Sequence, residues 1–425
     1  MNQLINIKSP LAEPLDVLLA DIAIRVQLSE TNYRKAVERY RAVHKHIERE
    51  GSPLHDRVAL FHPQGSMAIG ATISSKLEND EFDIDLIAIL DLPADTPPHR
   101  MLDILEEAIR GEPGSRYYGK TNRCTRCIQI LYADGMHLDV TPMVRIHALP
   151  EKCGYIYHAP QRYATPEDAR IIANPWGFAQ HFRERTPADH LFAVAFSERA
   201  RAYEGSLFFA EAEVEPVPEQ ESVHTKSMAV ISLQLMKRHR NVRYDQREGR
   251  CPPSVMMAKV VADNAGRTST LSEELIFQAS QLRDLLAAAQ RDGRLLEVRN
   301  PTCHPDLFTD RWPGNLAAQR VFLSDMIMFV EKLQSLRGEC DLVKMQATLA
   351  ELFGEKATIE AVKQLNQRVG RQIVDGRSQH VPGAGRIVLP TPTPTPTAAL
   401  GVVSAVPAGA RVTPAHTYFG SPRHR

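Results

Sequence analysis

Apolar residues recur at three- and four-residue steps along 16–49. Leu18, Leu19, Ile22, Ile24, Val26 and Leu28 open a stripe that Tyr33, Val37, Tyr40, Val43 and Ile47 continue. That period predicts one long helix, of the kind that braces the back of a sheet. RVALFHPQGS (57–66) reads as a strand running into a tight turn, with Ser66 as N-cap of a short helix. In EFDIDLIAIL (81–90), Phe82, Ile84, Leu86, Ala88 and Leu90 alternate with Asp83, Asp85, Ile87 and Ile89, which predicts a strand. A helix is predicted over 97–110, opened by proline and ended at Gly111. RCIQILYADGMHLDVTPMV (126–144) predicts a hairpin about Asp134-Gly135. From 145 to 224 the pattern is irregular, with a short helix near 189–203. Helical periodicity then covers 225–244, 254–263, 271–291, 315–338, 342–353 and 355–374.

The last fifty residues change character. PTPTPTPT (390–397) is extended, and the Gly, Ala, Val and Pro around it build no core. The expected organisation is therefore an α/β (α+β) lobe over 1–205, with a mixed sheet and the long N-terminal brace helix. A helical lobe over 206–375 and a disordered Pro/Thr-rich tail over 376–425 complete it.

Composition leaves that picture standing and narrows the setting. With 43% hydrophobic and 24% charged residues in 425, the chain reads as an ordinary globular protein large enough for two lobes. No apolar run approaches the ~18 residues that would span a bilayer, and the first residues do not resemble a secretory signal. A cytoplasmic protein without a membrane span is expected. The six cysteines are too sparse for a disulfide scaffold, so reduced thiols are expected. Cys124-x-x-Cys127 has zinc-like spacing, but no second CxxC or HxxxH accompanies it; Cys303-His304 could complete such a site, and free thiols are the ordinary reading. Net charge is zero, yet no acid follows Asp375 while five arginines do. Removing those five from the 51 basic residues leaves 46 against 51 acids, a net of −5 over 1–375. That balance is poor for coating duplex nucleic acid.

Candidate chemistry sits in the first lobe. Asp83 and Asp85, two apart on a strand, project from one face, and two like charges on an apolar strand repel unless a divalent ion lies between them. Asp139 is the lone acid of the strand MHLDVT. If the two strands pair, three carboxylates converge, enough for two magnesium or manganese ions ~3.5–4 Å apart. Gln64, Gly65 and Ser66 precede them. A small residue lets backbone approach a phosphate, the amides opening a helix face an anion, and Ser66 adds a hydroxyl. Such a set suits phosphoryl transfer, with Asp139 placed to accept the attacking hydroxyl's proton.

QGSMAIGATI, EFDIDLI and HLDVTP together resemble the polymerase-beta-like nucleotidyltransferases. More narrowly, over about 15–340, the chain is similar to the bacterial relatives of cyclic GMP-AMP synthase, the CD-NTases of CBASS antiphage systems. SMAVISLQLMKRHRN (227–241) is similar to the helix that places a lysine near the triphosphate, which by that match is Lys237, with Arg238 or Arg240 helping. PPSVMMAKVVAD (252–263) matches the next helix, whose opening serine touches phosphate, here Ser254. Read without the family, Lys237 is an exposed helix residue and Ser254 an N-cap after two prolines. Gly70-Ala71 stands where the family often has Gly-Thr, with Thr72 following. No zinc insertion like that of the animal DNA sensor is present, so no duplex-DNA activator is expected.

The resemblance makes 1–205 the nucleotidyltransferase catalytic lobe and 206–375 the nucleotide-binding lobe, and it implies synthesis of a cyclic di- or trinucleotide from NTPs, ATP among them, in antiphage signalling. It also implies an operon accessory protein acting on the tail, for which His416 to Gly420 is the candidate handle. Tyr155, Tyr157 and Trp176 could stack on a base or pack the lobe junction. Two other functions remain open on sequence: a transferase elongating RNA or modifying a protein acceptor, and a catalytically silent nucleotide-binding interaction protein.

Overall fold

The computed structural model describes residues 9–11, 13–74, 81–149, 152–208, 226–339, 341–374, 379–381, 386–388 and 411–412. The expected long N-terminal helix is two helices, α1 (Pro14–Val26) and α2 (Glu30–Ile47). Between them the chain turns extended: Gln27 bridges Ile73, the Leu28 amide donates to the Thr72 carbonyl, and Ser74 donates to that of Val26. Ser29 then caps α2, accepting from the Asn32 amide. The apolar period persists across a break that only a tertiary partner creates.

Next come β1 (Val58–Pro63), α3 (Gly65–Ala68), β2 (Phe82–Leu90) and α4 (Pro98–Arg110), followed by β3 (Thr121–Arg123), β4 (Ile128–Leu131) and β5 (Met136–Arg145). Gly111 takes φ 65° after α4, and Gly135 φ 82° in the β4–β5 turn, the left-handed backbone that glycine adopts without strain. Where an irregular stretch was expected, β6 (Gly154–His158), β7 (Ala169–Ala173), α5 (Pro175–Arg185) and a longer helix, α6 (His190–Phe208), form instead. These strands extend the sheet, whose order is β1-β2-β5-β4-β3 with β6 on β5 and β7 on β6. β2 and β5 are parallel, and among the described residues the other strand pairs of this sheet are antiparallel.

The predicted helices of the second lobe all form: α7 (Met228–Tyr244), α8 (Ser254–Asn264), α9 (Leu271–Arg291), α10 (Leu316–Leu336), α11 (Leu342–Phe353) and α12 (Glu355–Val374). A small pair, β8 (Arg299–Asn300) and β9 (Cys303–Leu307), lies between α9 and α10. In the expected disordered tail, β10 (Gln379–Val381), β11 (Arg386–Val388) and β12 (Arg411–Val412) pair as a three-stranded sheet. The repeat at 390–397 and the candidate handle His416 to Gly420 lie outside the described residues.

Among the described residues two large cores hold most of the buried apolar side chains, with a small third cluster on the other face of the sheet, and the two do not divide at residue 205. One face of the sheet (Ile84, Leu86, Leu138, Val140) packs with Val37, Val43 and Ile47 of α2, the brace that was expected. By contrast α1 is buried nearly all round and joins Phe178, Phe182, Phe192 and Phe196 of α5 and α6 in the core of the helical lobe. Asp21 of α1 is held there by Arg199 and Arg368, and Asp16 accepts from the Ser272 amide. Chain order and packing therefore disagree about where the lobes part.

His239 of α7 lies fully inside this core, stacked on Phe329 at 4.2 Å with Nδ1 against the Leu352 carbonyl. Burial lowers its imidazole from 6.5 to about 4. The unfolded chain thus binds the extra proton between those values, so stability from this group is whole above 6.5 and lost as pH falls toward 4. The urea midpoint of the wild type is expected to drop more steeply from about pH 7 to about pH 5 than that of His239→Phe. Parallel slopes would show that His239 carries no such linkage.

Candidate active site

The parallel register of β2 on β5 sets Asp83 opposite His137 and Asp85 opposite Asp139. Side chains opposite one another share a face, so the three acids gather on the face away from the α2 brace. Further along β2 that face turns apolar, where Ile87 and Ile89 pack with Met143 and Ala173. Burial, then the charges of Asp139 and Asp83, pushes the Asp85 carboxyl up to about 7 against the pull of Lys237. Burial and Asp83 push Asp139 up to about 6, opposed by a hydrogen bond from Gln129 and by His137. Mutual repulsion in a desolvated place is the common cause. Asp139 Oδ1 is buried with no hydrogen-bond partner.

The loop after β1 closes on this face. The Gln64 amide donates to the Asp85 carbonyl at 2.9 Å, and its side chain reaches Thr141 Oγ1 at 3.4 Å. Gly65 has φ 54°, and a Cβ there would stand 2.6 Å from Asp85 Oδ2. Gln64, not Ser66, is the N-cap of α3; Ser66 lies inside the first turn, where its Oγ accepts from Thr72 Oγ1 at 3.4 Å.

Lys237 is buried rather than exposed. Its Nζ donates to the Ala71 carbonyl at 2.8 Å, and burial, with Arg240 next, lowers its ammonium to about 7 while Asp85 and Asp83 favour the charge. Gln234, one turn earlier, donates to the Thr72 carbonyl. Arg238 and Arg240 do not share this role: Arg238 donates to the Phe353 carbonyl, and Arg240 to that of Pro252. The latter contact positions the start of α8. There Pro253 holds the cap position and Ser254 is the first helical residue. The aromatic candidates pack: Tyr157 is fully buried, Tyr155 lies against the sheet core, and Trp176 sits edge-on to His62 under Lys152.

Two contributors escaped the sequence reading. Gln129 was legible only to within one position: a two-residue turn at Asp134-Gly135 would set Ile130 opposite Asp139, and the three-residue connection 133–135, closed by the Tyr132 amide on the Met136 carbonyl, brings Gln129 there instead. Thr72 was not, since its bond to Ser66 depends on the bridge to α1. The residues fit a divalent ion chemically: three carboxylates on one face, one oxygen with no partner, and a nearby lysine. Among the described residues, no three His, Cys, Asp or Glu side chains stand close enough in this arrangement to enclose an ion. What the strands fix is the placement of the three backbones. Cys124, Cys127, Cys153, Cys251 and Cys303 are free thiols.

Residues 16–165 match the Second Messenger Oligonucleotide or Dinucleotide Synthetase domain. The whole chain is similar to the cyclic dinucleotide synthase CdnG of Bradyrhizobium diazoefficiens, 40% identical over 97% of this chain and 96% of that protein. The chain belongs to the CD-NTase family. It is a nucleotidyltransferase that makes cyclic oligonucleotides. The synthase also overlays the structure of Bradyrhizobium diazoefficiens CdnG in complex with GTP, with TM-score 0.73 over 84% of this chain and all of that one. A c-di-GMP synthase of Roseivirga ehrenbergii is 22% identical over 85% of the synthase and 90% of that protein. The structure of Escherichia coli CdnC with ATP, 14% identical with TM-score 0.53, shares the fold. Among the described residues no helix is long and apolar enough to cross a membrane.

Gly65→Ala tests the close approach of loop and carboxylate. Strain at its positive φ is expected to lower stability by about 1–3 kcal/mol in urea unfolding. Displacing Asp85 is expected to slow synthesis at least about tenfold. Unchanged turnover would show that the approach is not needed.

Proposed function

We propose that the synthase joins GTP, alone or with a second NTP, into a cyclic di- or trinucleotide at Asp83, Asp85 and Asp139. The observation that carries this is the register of β2 on β5, which puts Asp85 beside Asp139 with an unsatisfied carboxylate oxygen. GTP is favoured because one similar protein is seen with it and another is a c-di-GMP synthase. Asp83, Asp85 and Asp139 would hold two magnesium or manganese ions, which supply neutralisation of the charge that develops on the transferring phosphoryl group.

The chain's own groups do the rest. Ser66 Oγ and the first amides of α3 cradle the triphosphate, with Gly65 letting the backbone come close. Lys237 lies in the field of the acids and adds a cation on the phosphate side, and Ser254 offers its hydroxyl from the opening of α8. Asp139, raised toward neutral pH, accepts the proton of the attacking sugar hydroxyl as that oxygen bonds to the α-phosphorus and pyrophosphate departs. A second such displacement closes the ring. In the cell the product would be read by an effector in antiphage defence, in the cytoplasm, with an accessory protein acting on the tail near His416 to Gly420. The two lobes meet around this chemistry, the sheet supplying the acids, and α7 and α8 the second bank of phosphate contacts.

Labelled GTP with magnesium or manganese is expected to give a phosphatase-resistant product and pyrophosphate. Asp83→Ala is expected to abolish both while leaving the melting temperature unchanged or raised, because it relieves carboxylate repulsion. Label attached to RNA or protein instead of a small product would favour the elongating or modifying reading. Metal-dependent GTP binding without any turnover would favour the silent binding protein.

A further inference from the structure

The loop that presents Ser66 has a second side. A cavity of about 610 Å3 lies between Met67 and Thr72 on that loop, Tyr33 at the start of α2, Arg183 at the end of α5, and Lys226 and Ser227 at the start of α7. None of Asp83, Asp85 and Asp139 lines it. Its size lies within the range of small-molecule sites.

The cavity is cationic without a counter-charge. Lys226 is 6% exposed, and its Nζ donates to Gln27 Oε1 at 2.6 Å. That amide satisfies one of three N–H donors and brings no negative charge. Burial alone lowers the Lys226 ammonium to about 7, with no acid acting on it. Arg183 stands exposed on the rim and makes no ion pair among the described residues. Ser227 caps α7, a helix of 17 residues, its Oγ accepting from the Val230 amide, so the positive end of that helix also faces the cavity. A buried ammonium, a guanidinium and a helix N-terminus facing one cavity form a site for an anion. Tyr33 and Met67 give its other wall an apolar surface.

We propose that this cavity binds a phosphate-bearing small molecule of up to mononucleotide size. Its phosphate sits among Lys226, Arg183 and the positive end of α7 at Ser227, and any organic body lies against Tyr33 and Met67. The occupant touches the reverse of a loop whose Thr72 hydroxyl holds Ser66 and whose Ala71 carbonyl holds Lys237. Occupancy therefore changes the rate of synthesis. This coupling rests on the role proposed for Ser66 and Lys237; binding itself does not.

Binding is measured by calorimetry in EDTA on full-length Asp83→Ala/Asp139→Asn protein, with GMP and inorganic pyrophosphate as probes. One site is expected for at least one probe, weakened at least about tenfold by adding Arg183→Glu or Lys226→Met. Binding of GMP alone would identify a nucleotide as the source of the phosphate, and binding of pyrophosphate alone a free phosphate. Arg183→Glu alters an exposed side chain, so it reads the site even if Lys226→Met unfolds. Failure of both probes, or affinity indifferent to Arg183→Glu, overturns the site. In the active enzyme, GMP is expected to change kcat for GTP, an effect lost in Arg183→Glu. A purely competitive effect that survives in Arg183→Glu would overturn the coupling.

Discussion

Two like-charged strands lie side by side at the centre of the sheet. Pairing β2 parallel to β5 is favourable for the backbone and for Ile84, Leu86, Leu138 and Val140 on the covered face. On the other face the same register forces Asp85 against Asp139, with Asp83 beside them. Burial removes the water that would screen the repulsion, which is why the Asp85 and Asp139 carboxyls rise to about 7 and about 6. Such an arrangement gives up stability in the free protein, and it is understandable where a cation and a triphosphate complete it.

The loop after β1 is the part most thoroughly tied down around that face. Its start is fixed to β2 through the Gln64 amide, its end to α1 through the Gln27–Ile73 bridge, and its middle to α7 through Ala71 and Thr72. A glycine with φ 54° is needed where the loop passes closest to Asp85. Because α1 and α7 belong to the helical core, the phosphate loop is held jointly by both lobes. A shift of one lobe against the other would be felt at Ser66.

Local rules made much of this legible in the sequence. The alternation of Asp83 and Asp85 with Phe82, Ile84 and Leu86 gave the strand and its acidic face, and Asp134-Gly135 gave the hairpin that carries Asp139. Helical period placed every helix from α7 to α12. What local rules missed was set by tertiary partners. The break at Gln27–Ser29 exists because residues 72–74 pair there. The strands β6 and β7 carry few alternating positions and are stabilised by adding to a sheet edge. Lys237 reads as a surface residue on helical period alone, yet α7 is buried along most of its length.

Manganese binding, followed by electron paramagnetic resonance in the presence of a non-hydrolysable GTP analogue, addresses the central claim most directly. The wild type is expected to take up manganese with a rise in melting temperature, and Asp85→Asn and Asp139→Asn to lose at least about tenfold in affinity while remaining folded. Manganese bound equally well by wild type and both variants would contradict the assignment of this carboxylate face as the metal centre.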